Sequence, residues 1–214
     1  MPDIAGFDVV TLMVFAALVA LSVAATTVTL FKIVQFAMLG LGQRPQALQV
    51  LAQWQAGKKE AAVAAALAGK AVQLRVLHAV LTAQSQRSDA TDWVEEIGRQ
   101  AALSELGTMA KWMRTLEAVV QAAPMLGLLG TVVGMIDAFG TLAQSTGGVD
   151  PALLAGGIWT ALTTTAIGLA IALVFYFVAI WLEGRIDNER QDLEALLSAA
   201  IHGNVVAMVK AAKG

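Results

Sequence analysis

The sequence predicts an all-α integral membrane protein, with three transmembrane helices and long cytoplasmic helical extensions. Three observations carry that prediction. Of the 214 residues 57% are hydrophobic and only 14% charged, with a mean hydropathy of +0.69, too apolar for an ordinary water-soluble domain. Three runs, Val9–Phe31, Ala118–Ile136 and Ala152–Leu182, hold no charged residue, and at about 1.5 Å per helical residue each crosses a bilayer core. All fourteen Lys and Arg fall in Lys32–Arg114 or Arg185–Lys213, which gathers them on one side of the membrane.

Composition also removes whole classes of function. A net charge of −2 leaves no basic face to neutralise phosphates, so no nucleic-acid partner is expected. With no cysteine, disulfides, thiolate chemistry and cysteine-held metals are excluded. The two histidines, His78 and His202, lack ligand spacing, so neither a metal site nor a cofactor is expected. The spans contain no Ser/Lys or Ser/His pair and no HExxH, and no P-loop occurs anywhere in the chain; an enzyme is not expected.

Taken in order, residues 1–8 carry Asp3 and Asp8 but no Lys or Arg and are expected on the outer side. The first span, 9–31, is followed at once by Lys32. It reads as an uncleaved anchor, since a signal peptide has a basic start and a shorter apolar core; the small residues near Ser22 and Ala24 leave cleavage as the alternative. Residues 32–117 change to Ala, Gln and charged residues with helical recurrence at Val50, Leu51, Trp54, Leu67, Leu74 and Leu77, a cytoplasmic helical domain. A breaker patch at Ser85–Asp92 precedes another helix, with Asp92 and Glu95 as an expected cap pair. Leu106, Met109, Ala110, Met113, Leu116 and Val120 continue one apolar face, so that helix is expected to run unbroken into the second span, 118–142. Pro124 stands where it would bend this helix near its entry point.

Residues 143–151 form an outward turn, signalled by Thr146–Pro151. The third span, 152–182, has 31 uncharged residues, more than one crossing needs. Either Gly156 and Gly157 belong to a loop, or the helix is tilted or extends past the lipid. In the tail, 183–214, Leu193, Leu197, Ile201, Val205 and Met208 recur every three or four residues, an amphipathic helix expected to pack on the soluble region. The charge count places the N-terminus and the 143–151 turn outside and the C-terminus in the cytoplasm.

The chemistry is expected in the second and third spans. Gly127, Gly130 and Gly134 share one helix face beside Thr131, and Ala161 and Gly168 share a small-residue face with Thr165, so two backbones can approach closely. Taking the spans as 118–136 and 158–182, Thr131 and Thr165 lie about 6 and 7.5 Å outward of their centres. They sit at nearly one depth. Each threonine on its own is as readily explained by a bond back to its own helix; two matched in depth point to a shared polar lining, with Thr160 and Thr164 nearby and Asp137 at the outer mouth. A hydroxyl does not titrate near neutral pH, so the titrating group must come from another polypeptide. Three helices do not enclose a pore, so copies of the chain must complete the wall.

The strings APMLGLLGTVVGMIDAF, 123–139, and GGIWTALTTTAIGLAIALVFY, 156–176, resemble the second and third spans of the MotA/TolQ/ExbB proton-channel family, ExbB/TolQ-like branch. With the three-span topology the resemblance covers about Asp92 to Leu196. It implies a ring-forming subunit, most often a homopentamer, in the bacterial inner membrane, with a periplasmic N-terminus. The ring would surround the membrane helices of two copies of an ExbD/TolR-like single-span partner bearing a proton-accepting aspartate, with a TonB/TolA-like transducer beyond. Protons are then the transported ion, and their flow energises a process across the cell envelope. The family's pore threonines fall on Thr131 and Thr165. Its usual third-span glutamate falls on Thr160, which leaves Asp137 as the nearby carboxylate and raises the alternative of a non-conducting scaffold that holds a partner helix.

Overall fold

In a computed structural model of the chain, residues 9–40, 42, 44–87, 90–144 and 151–203 are described. These residues are helical with short connections, and no strand occurs among them. Seven helices follow in order: α1 Val9–Met38, α2 Arg44–Gln55, α3 Lys59–Ala68, α4 Val72–Gln86, α5 Thr91–Ala110, α6 Met113–Gln144 and α7 Pro151–His202. Three stretches are long and apolar enough to cross a membrane, Val9–Met38, Thr91–Ala143 and Leu154–His202. The chain divides into two compact units, one of Met1–Phe31 with Trp112–Trp181, the other of Lys32–Lys111 with Leu182–Gly214. The terminal segments 1–8 and 204–214, with Val205 and Met208, and the turn 145–150 lie outside the described residues.

The apolar unit is built from α1, α6 and α7. Along α1 the buried positions Thr11, Val14, Leu18 and Ala25 recur every three, four and seven residues, one stripe of a helix. Val14 and Leu18 close against Ala123 of α6 and Ala172 of α7, with Leu21, Leu126 and Ile171 around them. Pro124 lies inside α6, where its missing N–H removes one helical bond. The outward faces carry Val19, Met125, Leu128, Ile136, Leu162, Leu173 and Phe177, all exposed in the single chain. Apolar faces of this extent fit lipid or further protein rather than water.

In the second unit α2 packs beside α3 and α4, and α4 beside α3 and α5. Its core joins Val50, Leu51, Trp54, Leu74, Leu77, Val80 and Leu81 to Leu196, Ala199 and Ala200 of α7. The tail stripe packs on the other helices of this unit: Leu193 is buried, and Leu197 and Ile201 lie against the core. Leu67 departs from the expected face and is 68% exposed. Arg75 holds Glu105 through two guanidinium nitrogens, Nε to Oε1 at 2.8 Å and Nη2 to Oε2, and Arg44 pairs with Asp192 at 3.2 Å. Glu189 of α7 is buried.

Two expectations about helix ends resolve differently, and one left open is decided. The helix expected to run unbroken into the second span stops at Ala110 and restarts at Met113. Trp112 there takes φ +71°, a left-handed conformation costing a non-glycine residue roughly 1–2 kcal/mol, and no Gly or Pro marks the break. Asp92 and Glu95 form no cap pair, since the residue preceding α5 is Ala90 and no side chain caps the helix; Asp92 stands in the first turn, where its charge meets the positive end of the helix dipole. At the third span the open alternatives close in favour of a long helix, because Gly156 and Gly157 lie within α7, 52 residues from Pro151 to His202.

Candidate functional site

The seam between α6 and α7 is made of residues without bulk. A methyl group built on Gly127 would lie 2.9 Å from the Thr165 Cα and 3.0 Å from the Thr164 carbonyl; on Gly134, 2.9 Å from the Ala161 methyl; on Gly157, 2.8 Å from the Ala138 methyl. On Gly168 it would lie 2.5 Å from the Ala123 carbonyl oxygen, and on Gly130 it would collide with the Thr164 side chain. As the α6 partner moves from Ala123 to Ala138 the α7 partner moves from Gly168 back to Gly157, so the two helices are antiparallel along a seam of about four turns. Sequence reading missed Gly157, Ala123 and Ala138. Gly157 continues the Ala161 and Gly168 stripe one turn further and was legible by that spacing.

Close approach brings the hydroxyls together. The Thr131 and Thr165 Oγ1 atoms lie 3.1 Å apart. Thr165 donates to the Gly127 carbonyl at 2.8 Å, and Thr131 reaches the Leu128 carbonyl at 2.7 Å. Both threonines are half-buried. Thr164 is fully buried, within 2.7 Å of the Ala161 carbonyl and 3.2 Å of the Gly127 carbonyl. Its hydroxyl is turned into the seam. Thr163 bonds back to the Trp159 carbonyl at 2.8 Å, the local alternative open to any helical threonine.

Thr160 is half-buried, one turn N-terminal to Thr164 on α7, and Asp137 is exposed. Asp137 is six residues from Thr131 along α6, about 9 Å of rise, so it lies toward the C-terminal end of α6 and apart from the hydroxyl pair. His78 on α4 is half-buried and His202 at the end of α7 is exposed. No group of three or more His, Cys, Asp or Glu side chains that would hold a metal occurs among the described residues.

What this arrangement offers is hydrogen bonding without charge. Between Ala118 and Ile136 and between Ala152 and Leu182 there is no Asp, Glu, Lys, Arg or His. Each hydroxyl of the threonine pair can donate one hydrogen bond and accept others, and neither exchanges its proton as an acid at neutral pH.

Comparison with known proteins places these residues inside a matched region. The profile of the MotA/TolQ/ExbB proton channel family matches residues 55–195. A biopolymer transport protein ExbB homologue of Methanothermobacter thermautotrophicus is 35% identical over 128 residues, 55% of this chain and 45% of that protein. The biopolymer transport protein exbB1 of Vibrio cholerae is 47% identical over 60 residues, 28% of this chain and 26% of that protein. An ExbB-like biopolymer transport protein of Synechocystis is 41% identical over 71 residues, 32% and 28% of the two chains. The chain thus spans less than half the length of each of these relatives.

Proposed function

The chain belongs to the MotA/TolQ/ExbB proton channel family, and on that premise we propose that it is the ring-forming subunit of a proton-driven motor in the bacterial inner membrane, similar to ExbB and TolQ. The observation that carries this is the Thr131–Thr165 pair, 3.1 Å apart on a seam whose spans hold no acid. Copies of the chain, five by family resemblance, close a wall around two copies of an ExbD/TolR-like helix. The partner's aspartate supplies the titrating group, and a TonB/TolA-like protein carries the work outward. Each proton crossing the membrane releases about 2.3 kcal/mol per 100 mV, enough over several steps to move ring and core relative to each other. Thr131 and Thr165 hydrogen-bond the carboxyl group, Asp137 and Thr160 lie toward the outer entrance, and the glycines let helices approach. The N-terminus is periplasmic and the C-terminus cytoplasmic.

The test is proton uptake by proteoliposomes containing the chain and its partner, with Thr131→Val and Thr165→Val as variants. Each is expected to abolish uptake while the ring keeps its native mass; normal uptake in both removes the lining role. A second reading, a non-conducting scaffold holding a partner helix, is favoured by Thr160, a neutral side chain where the family usually has glutamate. Partner binding without uptake in the unaltered protein would establish it.

A further inference from the structure

The threonines of the seam hold fewer protons than contacts. Thr131, Thr164 and Thr165 each have one hydroxyl hydrogen, yet their oxygens make five contacts within hydrogen-bond distance: Thr131 to the Leu128 carbonyl and to Thr165, Thr165 to the Gly127 carbonyl, and Thr164 to the Ala161 and Gly127 carbonyls. The Gly127 carbonyl is the contested acceptor. One of its two lone pairs serves the amide of Thr131 in the helix ladder, so Thr164 and Thr165 compete for the other. Thr164 alone has a second carbonyl at a shorter distance, that of Ala161 in its own helix, where such a bond adds little to stability.

We infer that Thr164 is a positioning residue, a reserve donor that takes over the Gly127 carbonyl whenever the Thr165 hydroxyl turns to Thr131. The inference rests on the reading of Thr131 and Thr165 as the pair that meets a carboxyl group. In one arrangement Thr164 donates to Ala161, Thr165 to Gly127 and Thr131 to Thr165, which leaves the Thr131 oxygen free to accept from a protonated carboxyl. In the other Thr164 donates to Gly127, Thr165 to Thr131, and Thr131 to an ionised carboxylate. Only hydroxyl hydrogens rotate; no heavy atom has to move, and no buried hydroxyl loses its acceptor. The pair can therefore serve both protonation states of a guest acid, and successive bonds in one direction strengthen each other.

The Gly127 carbonyl carbon, assigned by solid-state NMR of the chain in lipid bilayers, reports the exchange without any partner. In Thr165→Val its shift is expected to move by less than half of its displacement in the Thr164→Val/Thr165→Val double variant, because Thr164 takes over. An equal displacement in the two overturns the inference. In proteoliposomes that also hold the single-span, aspartate-bearing partner proposed above, Thr164→Val, which keeps the shape and removes the hydroxyl, is expected to lower proton uptake about tenfold at unchanged ring mass, and Thr164→Ser to restore it. Unaltered uptake in Thr164→Val, where Thr131→Val abolishes it, also overturns the inference and leaves the lining reading standing. Normal uptake in Thr131→Val overturns the lining reading instead, and the carbonyl measurement then decides Thr164 alone.

Discussion

The Lys32 ammonium donates a 2.6 Å hydrogen bond to the Met109 carbonyl, joining the last turns of α1 to the end of α5. Lys32 is fully buried and also donates to the Gln35 side chain at 2.9 Å, whose own amide donates to the Thr108 carbonyl at 3.3 Å. The last carbonyls of a helix lack ladder partners and carry the negative end of its dipole, so a cation and an amide there satisfy both. Lys32→Met is expected to cost about 1–3 kcal/mol, read as a lower unfolding midpoint in detergent. An unchanged midpoint would show that this contact is replaceable by water.

Glycines of the chain separate into those that need their missing methyl group and those that do not. Gly168→Ala would press on the Ala123 carbonyl and the Gly127 Cα, backbone atoms that cannot swing aside, and is expected to destabilise by about 1–3 kcal/mol. Gly156→Ala meets nothing within 4 Å and is expected to stabilise by up to about 1 kcal/mol through helix propensity. Thermal unfolding of both variants checks the pair; equal effects would contradict the seam.

Gly130→Leu carries the same argument to assembly. A leucine would drive into Thr164 and force α6 and α7 apart. Native mass measurement is expected to find the proposed ring lost, and an intact one would contradict the packing.

Burial pushes the Glu189 carboxyl up from its ordinary 4.5; the nearby Gln73 side chain and Gly42 backbone dipoles offset this only in part, and the neighbouring Asp192 charge reinforces it. A raised carboxyl binds its proton more tightly folded than unfolded, so stability falls as pH rises from the ordinary value through the raised one. Wild type is expected to match Glu189→Gln below that window and to be the less stable of the two above it. Unfolding midpoints of both proteins across pH check this. A difference independent of pH would mean that packing, not charge, distinguishes them.

How far the chain could be read in advance follows from where the information is local. Three uncharged runs and one-sided Lys and Arg mark the spans because a bilayer tolerates little else, and the Leu193, Leu197 and Ile201 spacing marks a face that packs. The Thr131–Thr165 contact was accessible through depth, since antiparallel helices of known rise bring equal heights together. The break at Trp112 was not, because nothing in Lys111–Met113 forbids a helix. The full burial of Thr164 was equally hidden. Adjacent to Thr165 and identical to it, it faces Gly130, which no one-dimensional pattern records.

The most direct measurement of the central claim, a hydroxyl wall that works only around another chain's carboxyl group, is proton uptake by proteoliposomes holding this chain alone, set against proteoliposomes that also hold the aspartate-bearing partner proposed for it. The account predicts uptake with the partner and none without it. Uptake by the chain alone would contradict it, because no acid in its spans is there to carry the proton.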